Sequence, residues 1–402
     1  MFKILTMNTI AAAGLEQFPR ERYEVSPEIQ QPDAILVRSQ SLHDMIIPAS
    51  VKAVGRAGAG VNNIPVAALT RRGIPVFNTP GANANAVREL VIAGMLLASR
   101  NICQAWNYVE SLQGNMNLHD EIEKNKKRFV GFELMGKTLG VIGLGSVGVK
   151  VANAAVNLGM QVIGYDPTIT INRAWELSAN VRQAESMEEM LGLCDFVSFH
   201  VPLTEATRNM IHQDRLALTK PGVVLLNFAR EGIIDTAALS QALQVERVFA
   251  YVTDFPCADL KGHPRVISLP HLGASTREAE ENCAVMIARQ VRNFLEHGSI
   301  TNAANFPAVD ASPAQSGVRL AIVNANIPNM VAQISSRLAA AGLNILSLMN
   351  KSLDEIAYTL IDVNSDVHDG VLAQIAGIGG VIQVRALKPS SQYVRGAAAC
   401  SQ

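Results

Sequence analysis

Residues 139–148, Leu-Gly-Val-Ile-Gly-Leu-Gly-Ser-Val-Gly, constrain the fold more than any other stretch of this chain. A short apolar run reads as a buried strand and ends in Gly143-x-Gly145-x-x-Gly148. Helical periodicity follows at once, with Val147, Val151, Ala155 and Leu158 on one face and Ala152 and Ala154 beside them. Gly159 stops the helix, and a second apolar run, residues 161–165, closes on Asp166. Gly143 permits the tight turn, Gly145 lets backbone approach a pyrophosphate, and Gly148 lets helix and strand pack closely. Ser146 and Val147 open the helix, whose N-terminal N–H groups and positive dipole end suit phosphate. Asp166 stands about 18 residues beyond the last glycine, near the spacing of the acid that binds ribose hydroxyls. No Arg stands beside it to hold a 2′-phosphate, so NAD is expected over NADP. A lone glycine triplet would mark only a turn; strand, helix and acid together point to a dinucleotide.

At 402 residues the chain is long enough for two or three domains. A net charge of −1 gives no reason to expect nucleic acid or an anionic membrane as partner. Five cysteines lie scattered at 103, 194, 257, 283 and 400 with no C-x-x-C pair. That pattern is neither a disulfide framework nor a zinc site; no metal is expected, and a cytoplasmic setting is. The first residues are too short an apolar run for a signal segment and read as a strand.

The chain in order supports an α/β class. Before residue 80, strands are expected at Phe2–Met7, Ala34–Val37, Ala53–Arg56 and 75–77, with a short helix over 67–72. The turn Gly55-Arg56-Ala57-Gly58-Ala59-Gly60 puts three glycines around an Arg after a strand, a loop whose backbone can approach an anion. A long apolar helix runs from about Ala84 to Ser99. Lys124, Lys126, Lys127 and Arg128 then form a cluster that reads as a solvated face or as charge near a phosphorylated substrate. Strands at 195–200, Val223–Asn227, 248–254 and 266–269 alternate with helices at Met187–Leu193, 215–218 and Thr236–Gln244. The alternation means a parallel, doubly wound sheet, whose ligands sit at the carboxyl ends of the strands. A helix over 276–297 and a Pro-containing linker lead to a βαββαβ pattern, a ferredoxin-like module, and then a small polar tail expected to fray.

Oxidising a 2-hydroxy acid needs a cation on the carboxylate and a group that moves the hydroxyl proton, the latter oriented by a carboxylate. Arg230, in Asn227-Phe228-Ala229-Arg230-Glu231-Gly232, follows a strand and precedes a turn glycine, where its fork can grip a carboxylate. A structural ion pair is the plainer alternative for it. His271, in Pro270-His271-Leu272-Gly273-Ala274-Ser275-Thr276, opens a glycine loop before a helix. His200 competes for the acid/base role, and Asp254 and Asp259 for that of the carboxylate.

At these residues the chain resembles the D-isomer-specific 2-hydroxyacid dehydrogenases. The motifs are Arg56-Ala57-Gly58-Ala59-Gly60-Val61-Asn62, the Gly143 fingerprint with Tyr165-Asp166, Asn227-Phe228-Ala229-Arg230, and the run from Pro270 to Thr276. The C-terminal module looks like an ACT domain, with Asn326-Ile327-Pro328-Asn329 at the ligand-loop position. The resemblance implies a bilobal enzyme. A Rossmann-type sheet (89–274) is inserted in a smaller flavodoxin-like substrate domain (1–88 with 275–303). A linker (304–317), an ACT-like domain (318–389) and a tail (390–402) follow. It implies that Arg230 binds substrate, that His271 is the acid/base, and that Arg56, Gly58 and Asn83 face substrate. It implies that Gly143, Gly145, Ser146, Val147, Gly148, Asp166, Phe228, Ala229, Arg230, Asp254, His271, Gly273 and Ala274 line NAD. The family pairs its His with a Glu, whose place alignment gives to Ala258; Asp259 is the nearest carboxylate. Asn329 stands where the ACT loop usually carries Gly.

The expected reaction is NAD-dependent oxidation of 3-phospho-D-glycerate, entering serine synthesis, by a homodimer or homotetramer with an amino-acid effector at the ACT-like domain. Reduction of glyoxylate or hydroxypyruvate, and a non-catalytic NAD sensor, are the rival readings.

Overall fold

The computed structural model describes residues 1–112, 117–312, 314 and 317–388. Pro313 and Ser316 of the linker, Cys400 and the tail 390–402 lie outside the described residues. The chain forms two compact units, Met1–Ala82 with Glu280–Gln402, and Asn83–Ala279.

The first unit begins with β1 (Phe2–Met7), α1 (Ala12–Leu15), β2 (Tyr23–Ser26), β3 (Ala34–Val37), β4 (Ala53–Arg56), α2 (Val66–Arg71) and β5 (Val76–Phe77). The strands form one parallel sheet in the order β2-β1-β3-β4-β5, the flavodoxin-like winding. A parallel sheet is covered on both faces, so its central strands must be apolar throughout. Ala34-Ile35-Leu36-Val37 meets that demand, with all four residues buried.

The second unit runs through α3 (Ala84–Ser99), α4 (Ile102–Ser111), α5 (Leu118–Asn125), β6 (Thr138–Ile142), α6 (Ser146–Asn157) and β7 (Gln161–Tyr165). It continues with α7 (Ile171–Glu176), β8 (Val181–Gln183), α8 (Met187–Leu193), β9 (Phe196–Phe199) and α9 (Gln213–Leu218). Then come β10 (Val223–Asn227), α10 (Thr236–Gln244), β11 (Val248–Thr253) and β12 (Val266–Ser268). Its seven strands are parallel in the order β12-β11-β10-β9-β6-β7-β8. The winding reverses between β6 and β9, which opens the crevice of a Rossmann sheet at their carboxyl ends. Alternate residues feed the two faces: Val197, Phe199 and Leu225 enter one core, and Phe196, Val224 and Leu226 the other.

Helix α11 (Arg277–His297) leads back to the first unit. The C-terminal module is β13 (Val318–Ala325), α12 (Met330–Ala340), β14 (Ile345–Leu353), β15 (Ile356–Val363), α13 (Asp369–Ala376) and β16 (Val381–Leu387). Its antiparallel order, β14-β15-β13-β16, is that of the ferredoxin-like fold.

The sequence pattern predicts this module as a body of its own after a linker. In the structure it falls in one compact unit with the N-terminal sheet, Met1–Ala82 with Glu280–Gln402. One buried cluster runs from Ile4, Phe77 and Ile287 to Val323, Tyr358 and Leu360. Polar contacts reinforce it. Arg319 grips Asp362 with two bonds of 2.6 and 2.8 Å and donates to the His297 carbonyl at 3.1 Å. The Tyr358 hydroxyl donates to the Gly298 carbonyl at 2.7 Å. No helix among the described residues is long and apolar enough to cross a membrane.

Candidate active site

The glycine turn follows β6. Gly143 has φ +89°, a conformation that side-chain-bearing residues rarely adopt, and a Cβ there would lie 2.7 Å from the His200 carbonyl. Gly148 presses α6 onto the strand: its Cβ would sit 1.9 Å from the Gly143 carbonyl oxygen. A Cβ on Gly145 would meet no heavy atom within 4 Å, so this is the open side of the turn. Gly145 is also the N-cap of α6, with no side chain capping the N–H groups that follow at Ser146 and Val147. Asp166, at the end of β7, reaches back and accepts from Leu144 N at 2.8 Å and from Thr168 N at 2.8 Å. An uncapped helix start, an open glycine and an acid fixed beside them fit a dinucleotide pyrophosphate and ribose.

The next loops rise from neighbouring strands. β10 and β11 run in register from Val224↔Ala250 to Asn227↔Thr253, so the Arg230 loop and Asp254 leave the sheet side by side. Asn227 shapes the first loop: its amide donates to Arg230 O at 2.9 Å and to the Tyr251 hydroxyl at 3.2 Å, and its oxygen accepts from Ala229 N at 3.2 Å. The loop ends with Arg230 exposed, its guanidinium touching Ala229 O at 2.7 Å. Phe228 is buried and packs over Gly94 of α3, where a Cβ would approach its ring to 3.0 Å.

Asp254 holds the second loop. It is 1% exposed, its N–H donates to Asn227 O at 3.1 Å, and its carbonyl accepts from His271 N at 3.1 Å. One carboxylate oxygen accepts from Leu272 N and the other from Gly273 N, both at 2.7 Å. These last three bonds hold His271 at φ +58°, a strained conformation for a residue with a side chain. The imidazole is exposed and packs against the Phe255 ring, with centroids 4.9 Å apart. Ala274 lies in the same loop and is half-buried.

The structure thus brings Asn227, Phe228, Ala229, Arg230, Asp254, His271 and Gly273 together. It does not bring Asp259 to His271. Asp259 is exposed in a single 3-10 turn, Ala258–Leu260, and among the described residues no carboxylate of this unit lies within hydrogen-bond or ion-pair distance of the imidazole. His200 is enclosed behind the turn. Its Nε2 lies 2.8 Å from Ser198 Oγ, and burial pushes its pKa down to about 3, which suits a neutral packing group.

Asn83 is the N-cap residue of α3, its carbonyl accepting from Val87 N at 3.2 Å. Arg56 and Gly58 belong to the first unit. The Arg56 guanidinium donates to Arg38 O at 3.0 Å and to Gly60 O at 2.7 Å, in the space a Cβ on Gly58 would need. Arg128 stacks on the Tyr108 ring of α4 and on the Phe129 ring at 5.5 and 5.8 Å, and Lys126 pairs with Glu123 of α5. Asn227 figures in the sequence pattern only as the first residue of the Asn-Phe-Ala-Arg run at a strand end, and Asp254 only as a lining residue or candidate carboxylate. The bonds that define both reach across the sheet, and no local pattern announces them.

The family model of the D-isomer specific 2-hydroxyacid dehydrogenase NAD binding domain matches residues 92–273. The chain is similar to the D-3-phosphoglycerate dehydrogenase of Methanocaldococcus jannaschii, 39% identical over 71% of this chain and 54% of that protein. It is similar to that of Haemophilus influenzae at 34% identity, over 83% of this chain and 81% of that one. Among solved structures it is similar to NAD+-bound 3-phosphoglycerate dehydrogenase of Entamoeba histolytica, with TM-score 0.61 and 28% identity, over 76% of this chain and 98% of that one. The chain spans little more than half the length of several curated relatives, 54%, 60% and 55% for the Methanocaldococcus, Bacillus subtilis and Archaeoglobus fulgidus proteins. The glycine turn, the paired loops and these likenesses agree: this chain belongs to the D-isomer specific 2-hydroxyacid dehydrogenase family.

Proposed function

We propose that the chain oxidises a D-2-hydroxy acid with NAD, the substrate being 3-phospho-D-glycerate and the product 3-phosphohydroxypyruvate. One observation carries the chemistry: Asp254 fixes the His271 loop to the strand beside the one that delivers Arg230. An exposed guanidinium and an exposed imidazole thus share one edge of the sheet, where the glycine turn also opens.

Bound NAD would supply the oxidant, as acceptor of the hydride from C2. The residues that would hold it are the N–H groups at Ser146 and Val147, Asp166 on the ribose, and the backbone of the Phe228 and Gly273 loops. Asp166 disfavours a 2′-phosphate by charge, which selects NAD over NADP. Arg230 binds the substrate carboxylate and polarises the oxygen on C2, using the planar fork suited to that geometry. His271 takes the hydroxyl proton on a ring nitrogen and returns it in the reverse direction. Asp254 touches only loop backbone, so it acts by positioning. The similarity to phosphoglycerate dehydrogenases supports the phosphorylated substrate.

The test is NADH appearance with 3-phosphoglycerate against glycerate, glyoxylate and hydroxypyruvate in the matching direction. Preference for an unphosphorylated acid would move the chain to the reductase reading. A chain that binds NAD but turns over none of these would be a sensor. A homo-oligomer is part of the proposal: Ile102, Trp106 and Val109 form an exposed apolar stripe on α4, which light scattering can show to be covered. An amino-acid effector at residues 326–329 is part of it as well. Asn329 holds φ +71° at the start of α12, the conformation glycine would otherwise supply, and calorimetry with serine tests it. Four free thiols, Cys103, Cys194, Cys257 and Cys283, support a cytoplasmic setting.

A further inference from the structure

Away from that site, the first unit contains a cavity of about 310 Å³ where three parts of the chain meet. Phe2, Arg22 and Lys52 come from the N-terminal sheet region, Leu295 and Glu296 from the end of α11, and Arg385 to Lys388 from β16 and its exit. Four cations and one carboxylate therefore line it.

The carboxylate is fully engaged. Glu296 accepts the Tyr23 hydroxyl at 2.6 Å and lies 3.2 Å from Arg22 and 3.3 Å from Arg292. Lys52 pairs with Asp33 at 2.7 Å. Lys388 reaches Asp366 only at 3.6 Å with both side chains 75% exposed, a contact worth little. Arg385 has no carboxylate within ion-pair distance among the described residues. It lies flat on the Phe294 ring, 4.1 Å from the centroid, and its Nη2 donates to Phe294 O at 3.4 Å. Burial lowers its pKa from the ordinary value, though a guanidinium stays charged. Arg385 is half-buried and has no ion-pair partner of its own among the described residues, and in a concave site lined by cations such a group favours an anion from solution.

We propose that this cavity is a second binding site, for a small anion bearing phosphate or carboxylate, clasped by Arg385 with Lys388, Lys52 and Arg22 around it. The volume suits a metabolite of a few carbons. Its walls come from segments far apart in sequence, so the anion braces the C-terminal module against the N-terminal sheet. Binding to the folded chain alone raises the melting temperature.

The test uses the full chain, with calorimetry and thermal melting in inorganic phosphate and in malonate, ionic strength held with chloride. A chain carrying both Arg56→Gln and Arg230→Gln alters the two arginines that the sequence motifs place toward substrate. Saturable binding and a raised melting temperature are expected in the wild type and in that double variant. Arg385→Gln weakens binding by about tenfold or more, the effect of losing a charge-assisted bond, and Lys388→Gln by about twofold. Arg385→Lys, which keeps the charge without the fork, falls between and guards against a folding defect in Arg385→Gln. Response to phosphate alone assigns a phosphorylated ligand; response to both assigns the shared anion chemistry. Binding that is absent, that survives Arg385→Gln unchanged, or that vanishes in the Arg56/Arg230 double variant overturns the proposal.

Discussion

Arg56 ends β4 in the first unit, and Arg230 follows β10 in the second, each ahead of a glycine turn. In sequence they look alike. Folding separates them. The Arg56 side chain turns back under its own loop and is held by two carbonyls, Arg38 O and Gly60 O, so that it joins that loop to the end of β3. The Arg230 side chain is exposed and among the described residues hydrogen-bonds only the carbonyl before it, while Asn227 shapes the loop. A guanidinium has five donors, and what it can offer a ligand depends on how many the fold already uses. The pattern of strand, Arg and glycine marks a place where an anion can be met. It does not say whether the side chain or the loop it supports does the meeting.

Mutation can sharpen or break that contrast. The largest effect is expected at the imidazole proposed as acid/base: His271→Ala should lower kcat by about 10²–10⁴-fold with the NAD affinity and melting temperature near wild type. Next comes Arg230→Ala, expected to lower kcat/KM by roughly a hundredfold or more, again with little change in melting, because no fold contact beyond Ala229 O is lost. Asp254→Asn leaves one oxygen for two N–H groups; it should cost about 1–3 kcal/mol in urea unfolding and cut kcat without altering KM for NAD greatly. Arg56→Gln comes last in activity but should show in stability, at about 1–3 kcal/mol from two lost charge-assisted bonds. If Arg56→Gln abolishes turnover while melting like the wild type, the contrast between the two arginines is wrong. If Arg230→Ala unfolds the chain, it is wrong from the other side.

Much of the second unit could be read from the chain. The glycine turn, the apolar runs at Val223–Asn227 and Phe196–Phe199, and the acid at 166 are local signals with local causes. The elements that escaped are weakly marked. β2 and β8 are edge strands of four and three residues, too short for a clear alternation, and α4 and α5 bury no residue although Ile102, Trp106 and Val109 recur at helical spacing on α4. The loops were legible but their wiring was not. Asp254 is separated from Leu272 and Gly273 by 18 and 19 residues, and only the pairing of β11 with β12 brings them together. The same holds for Asp259, whose place in the sequence suggested a partner for His271 that the 3-10 turn does not supply. The C-terminal module showed its strand order in its pattern, but not the bonds of Tyr358 and Arg319 that tie it to the end of α11.

His271 sits in a left-handed backbone, and glycine would adopt it without strain. A His271→Gly chain should therefore gain up to about 1 kcal/mol while losing the group proposed as acid/base. Selection for heat tolerance alone would drift toward an inert protein at this position, and the persistence of histidine there would record a demand made by turnover rather than by folding.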